Sequence, residues 1–156
     1  MKSKIPQMLR LIVSFSMAAV AVSAHAAGSL TIQHAWARPT VAGQPVAAAY
    51  MDITSERDAV LLELRSDAAQ AVQVHSMSEK DGVMRMRQVD RVKLQAGKPV
   101  RLTPGGMHLM LLDLKHPLRV GDTIGIDLIW SDAAGGRHTD HIAVPVRTSG
   151  DAEDTR

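Results

Sequence analysis

The chain has 156 residues, with 18 Lys+Arg against 16 Asp+Glu, nine Met, one Phe, one Tyr, two Trp and no cysteine. Three of the basic residues, Lys2, Lys4 and Arg10, precede residue 27 and every acidic residue follows it, so the remainder is slightly negative with His neutral. That balance, with so few aromatic rings, excludes the basic field and stacking platform of a nucleic-acid binder. The chain also lacks a Gly-x-Ser-x-Gly elbow, a cysteine nucleophile and a phosphate-cradling glycine loop, which points away from an enzyme.

In chain order, Lys2, Lys4 and Arg10 precede an apolar run, Leu11 to Val22, and Ala24-His25-Ala26 supplies a small-x-small cleavage pattern. Residues 1–26 are predicted to be a signal peptide, because the run is well short of the roughly 20 residues that span a bilayer. A lipid anchor at the cleavage site would need a cysteine. The expected product is exported to the periplasm, with one domain over 27–148 and a flexible polar tail over 149–156. Within the domain the periodicity is two. Leu30-Thr31-Ile32, Ala49 to Ile53, Val72 to His75, Val92-Lys93-Leu94, Val100-Arg101-Leu102 and Ile124 to Leu128 alternate as half-buried strands do. Turn chemistry separates them at Gly43, Asp81-Gly82, Gly97, Gly105-Gly106, Gly121 and Gly135-Gly136. Short strands at this spacing predict an all-β, antiparallel Greek-key sandwich or barrel held by packing alone.

Three pairs stand out on these strands: His75-Ser76-Met77, Met84-Arg85-Met86 and His108-Leu109-Met110. Residues at i and i+2 leave the same face of a strand, so each pair aims two ligands at one place. A hairpin with Glu79-Lys80-Asp81-Gly82 at its tip is expected to set Met77 against Met84 and His75 against Met86. A third strand carrying His108 and Met110 would complete a site of two nitrogens and two sulfurs. Thioethers are soft and uncharged and favour Cu(I), whereas zinc prefers Cys, His and carboxylate. Met77 and Met84 are accessory candidates at the lip. Met107, out of phase with His108 and Met110, reads as core filler. His34, His116, His138 and His141 read as surface or hydrogen-bonded residues. Trp36, Arg38 and Pro39 read as anchors of the first strand and its turn, and Tyr50 and Trp130 as core or core-edge rings that need polar partners.

His75, Met86, His108 and Met110 stand in the spacing H-x10-M-x21-H-x-M, flanked by Gly82-Val83-Met84-Arg85-Met86 and Pro104-Gly105-Gly106-Met107-His108-Leu109-Met110, with Ala35-Trp36-Ala37-Arg38-Pro39 near the domain's start. This pattern resembles the signature of the periplasmic copper-A chaperone (PCuAC) family. The resemblance implies a cupredoxin-like β-sandwich and a chaperone that delivers Cu(I) towards the copper centre of cytochrome c oxidase, directly or through other copper-relay assembly proteins. Some relatives bind further copper on a His- and Met-rich extension. The tail from Ser149 to Arg156 has neither residue, which argues against a second site there. Two alternatives stay open: a periplasmic copper buffer or resistance protein with the same site, and a β-sandwich interaction module that binds no metal.

Overall fold

The computed structural model describes residues 30–149. The signal peptide expected over 1–26 and the tail expected beyond Ser149 lie outside the described residues. Ten strands follow in order: β1 (Leu30–Ala37), β2 (Val46–Ser55), β3 (Ala59–Ser66), β4 (Ala69–Lys80), β5 (Val83–Val89), β6 (Val92–Leu94), β7 (Val100–Leu102), β8 (His108–Leu114), β9 (Thr123–Asp132) and β10 (Arg137–Pro145). No helix occurs among the described residues. The main path of the sheet runs β1-β2-β8-β4-β3-β9-β10, with β5 on β4, β6 on β3 and β7 on β2.

The two ends of that path meet. Ala37 at the end of β1 bridges Val146 just after β10, and the Arg147 N–H donates to the Ala37 carbonyl at 3.0 Å. At the other end of β1, the Leu30 N–H donates to the Asp140 carboxylate of β10 at 3.1 Å. The all-β sheet is thereby wrapped into a nearly closed sandwich, which hides edges that would otherwise expose unpaired backbone.

The inward residues follow the alternation. Met51 and Ile53 of β2, Leu109 and Leu111 of β8, and Ile126 and Leu128 of β9 are all buried, as are Leu61, Leu94 and Leu102. Full burial of such side chains stabilises by about 1.5–3 kcal/mol each, so one apolar interior accounts for a fold without cross-links. All six alternating segments read from the sequence lie in strands. Four strands lie outside them: β5 and β8, which the sequence marks by their His and Met pairs, and β3 and β10. In β3 the register slips between Leu61 and Glu63, so the apolar residues do not alternate cleanly. In β10, His138, Asp140 and Ile142 are only half-buried and the residues between them exposed, which mutes the apolar signal.

The central position of β8, between β2 and β4, is what the chemistry depends on. It brings His108 and Met110 alongside the strand that carries His75. Beyond the core, β4 runs on with β5 as a ribbon. Of β5 only Val89, at its root, is not exposed.

Candidate metal centre

The site begins with a cross-strand pair. On β4 and β8, His75 lies directly opposite His108, and the two rings are 6.1 Å apart between centroids. His108 is buried at 4% exposure. Its Nδ1 lies 3.1 Å from the Gly106 carbonyl oxygen. A carbonyl only accepts, so Nδ1 carries the proton and Nε2 keeps a free lone pair. The Nε2 of His75 lies 2.9 Å from Gln73 Oε1, while its Nδ1 is buried with no hydrogen-bond partner among the described residues. Burial first, and the neighbouring His108 second, hold the His75 pKa below its ordinary value of 6.5. The ring is therefore neutral at pH 7, the form that can ligate a metal.

The methionines extend the same face. Met110 sits opposite Gln73 on β4 and opposite Ala48 on β2. Directly opposed residues share a face, so Met110 joins His108, His75 and Gln73. On β5, Met86 lies opposite Met77, and His75 lies opposite Gln88. The expected pairing of His75 with Met86 and Met77 with Met84 is thus corrected by two residues. The cause is the turn: Asp81 and Gly82 alone form the tip, with φ of 56° and 74°, and Lys80 pairs with Val83. Positive φ at both central residues is the type I′ geometry that suits a two-residue hairpin. Met86 still shares the His75 face, one step further along the ribbon, and Met77 is its direct neighbour. Met84 lies opposite Glu79, towards the tip. Met84 and Met86 are about half exposed, at 52% and 49%.

The donor chemistry of this face is narrow. Among the described residues no three His, Asp or Glu side chains come together as a metal group, and the chain has no cysteine. The face carrying His75, His108, Met77, Met86 and Met110 offers uncharged imidazole nitrogen and thioether sulfur. Its orphaned, buried Nδ1 is the kind of atom a metal satisfies. These residues fit a soft cation and do not fit a hard one.

The remaining candidates disperse. Met107 is half-buried against the core. His34 contacts Asp52 at 3.0 Å, and His116 is exposed. His138 pairs with Asp132 at 2.8 Å and His141 with Asp127 at 2.6 Å, as two strand residues on opposite faces must. Trp130 donates its Nε1–H to Asp140 at 3.0 Å. Trp36 does more than anchor β1, and Tyr50 of β2 more than fill a core edge. Their rings lie 4.7 Å apart, the Tyr50 ring lies 6.5 Å from His108, and the Arg38 guanidinium lies 5.8 Å from the Tyr50 centroid. They form an aromatic wall beside the imidazole pair, and only the pairing of β2 with β8 reveals it.

A profile of the LpqE-like family, described as "Putative lipoprotein LpqE-like", matches residues 30–153. A curated relative from Leifsonia xyli subsp. xyli, "Putative lipoprotein Lxx21020", is 33% identical over 124 residues, 78% of this chain and 71% of that protein. Among solved structures, the copper-bound PCuAC domain from PmoF2 is 26% identical, with a TM-score of 0.58 over 79% of this chain and 97% of that domain. The chain belongs to the LpqE-like, PCuAC family. Another similar structure is the Cu(I) form of DR1885 from Deinococcus radiodurans, at 25% identity and a TM-score of 0.59, covering 76% of this chain and 78% of that one. As a PCuAC domain the chain has the cupredoxin-like fold, and the His and Met face described above lies on the sheet of that sandwich.

Proposed function

We propose that this PCuAC protein is a periplasmic copper(I) chaperone whose cargo is held by His75, Met86, His108 and Met110 and delivered towards the copper centre of cytochrome c oxidase, directly or through other copper-relay proteins. The observation that carries the reading is the direct opposition of His75 and His108 across β4 and β8, with Met110 and Met86 on the same face. The relatives solved with copper support the choice of ion. Four neutral ligands leave Cu(I) its own positive charge, and the half-exposed thioether of Met86 lies open to an incoming ligand. Both features favour handover over storage, the point on which a chaperone differs from a copper buffer. Met77, beside Met86, is positioned to substitute for it during exchange.

Competition against a Cu(I) chelator under reducing conditions tests the binding. One Cu(I) bound tightly, with zinc much weaker, is the expected result. Equal or tighter zinc binding would remove the soft-site argument, and no binding would leave the interaction-module reading. Delivery is tested by mixing the Cu(I) protein with the apo copper domain of the oxidase and following the copper. Retention of the ion at equilibrium by this protein would favour the buffer.

A further inference from the structure

We propose that Gln73 is a positioning residue that fixes the His75 ring with its proton on Nε2, so that the ion is taken by Nδ1 of His75 and by Nε2 of His108. The inference rests on the copper reading and adds to it a fifth residue and the identity of the donor atoms.

The argument starts from an asymmetry between two facing rings. In His108 the backbone carbonyl of Gly106 takes the Nδ1 proton, which leaves Nε2 as the only lone pair. In His75 the side chain of Gln73 occupies Nε2 at 2.9 Å, and the buried nitrogen without a partner is Nδ1. Two hydrogen placements satisfy the contact between His75 and Gln73. In one, the ring donates its Nε2–H to the amide oxygen and Nδ1 is a bare lone pair. In the other, the amide donates to Nε2 and Nδ1–H is a buried donor with no acceptor. Buried N–H groups without partners are rarer in proteins than under-satisfied acceptors. Only the first placement leaves a lone pair on the buried atom, and in both Nε2 is engaged by Gln73. A metal-binding imidazole commonly gives its other N–H to an oxygen acceptor, which sets tautomer and ring orientation. Gln73 stands where that acceptor has to be. It lies two residues before His75 on the same face of β4 and directly opposite Met110, among the proposed ligands.

The test is nitrogen NMR on the isotopically labelled protein, because Cu(I) is diamagnetic and leaves the ring signals readable. In the apo protein at neutral pH, long-range proton–nitrogen correlations are expected to show the proton of His75 on Nε2 and that of His108 on Nδ1. One equivalent of Cu(I) should then shift Nδ1 of His75 and Nε2 of His108. Gln73→Leu should give a mixture of His75 tautomers and lose roughly 10–100-fold in Cu(I) affinity, and Gln73→Glu, which keeps an acceptor, should retain the wild-type tautomer. A copper-induced shift at His75 Nε2 in place of Nδ1 would overturn the inference and leave the copper reading standing. Copper that moves no nitrogen of either ring would overturn the copper reading and the inference with it. An unchanged tautomer and affinity in Gln73→Leu would remove Gln73 from the role. Should that variant not fold, the apo wild-type tautomer and Gln73→Glu decide the question.

Discussion

Partial burial holds the His75 ring neutral, the form a metal ligand needs, and it has a cost in acid. Its folded pKa lies below 6.5, so between that lower value and 6.5 the unfolded chain binds more protons than the folded one. Stability from this residue is complete above 6.5 and is lost as the pH falls through the folded pKa. Urea midpoints of the apo protein should therefore drop on acidification below about pH 6.5, and His75→Gln should show a smaller drop. An identical pH profile in the variant would contradict the half-buried, neutral ring. A methionine pair separates ligand from filler. Met107→Leu should cost under about 1.5 kcal/mol and leave Cu(I) affinity intact, since Met107 packs against the core. Met86→Leu should keep the urea midpoint, because the side chain is half exposed, while weakening Cu(I) binding. Because Met77 lies beside Met86, an unchanged Cu(I) affinity and an unchanged shell of two sulfurs and two nitrogens in the double variant Met77→Leu/Met86→Leu would remove Met86 from the ligand set.

At the scale of the element, the β4–β5 ribbon depends on two residues at its tip. Gly82 has φ +74° with nothing within 4 Å of a Cβ placed on it, so a substitution meets backbone strain and no steric block. A branched residue is the worst choice there. Gly82→Val should destabilise by about 1–2 kcal/mol and lower Cu(I) affinity by loosening the pairing that sets Met86 against Met77. Gly82→Asn should cost less, because Asn visits the left-handed region more readily. Equal effects of the two in urea denaturation and copper competition would show that the tip does not set the register. The ribbon also marks how far the sequence could be read. β4 followed from the alternation of Val72 to His75, β5 from the hairpin expected around Glu79 to Gly82, and the shared face of each His and Met pair from the i, i+2 spacing. The register did not, because a tip spread over Glu79 to Gly82 admits more than one centre, although Asp-Gly is itself the two-residue signal. The role of Gln73 was in principle open to the same i, i+2 argument that paired His75 with Met77. The Trp36 and Tyr50 wall was not, since nothing local tells which strand β2 adjoins.

For the whole molecule, the closed sheet and its buried apolar interior predict a protein folded without metal. Circular dichroism in excess chelator should be β-rich and the urea transition cooperative. A coil spectrum that became β-rich only with Cu(I) would contradict this. Copper then adds stability by mass action, about 2.7 kcal/mol at a free concentration 100 times the dissociation constant. The sandwich class was legible from period-two strands and frequent turns. The order of the strands was not, because β8 reaches its place between β2 and β4 through contacts distant in sequence.

That placement of β8 also fixes when the site can come into being. The His75 and His108 rings face each other across a β4–β8 pair whose partners are separated by three other strands in the chain. Sheets built from such non-local pairings fold in milliseconds to seconds, slowly beside helical bundles, because the loop-closure entropy is lost before the contacts form. Until β8 inserts, the chain offers at most the local β4–β5 hairpin, with His75, Met77, Met84 and Met86, and never His108 and Met110 beside them. The complete site is therefore expected to form only after folding, because its two histidines come together only once β8 is in place. A kinetic trace should show β-structure appearing first, with the four-ligand absorption edge following it at a rate that scales with copper concentration.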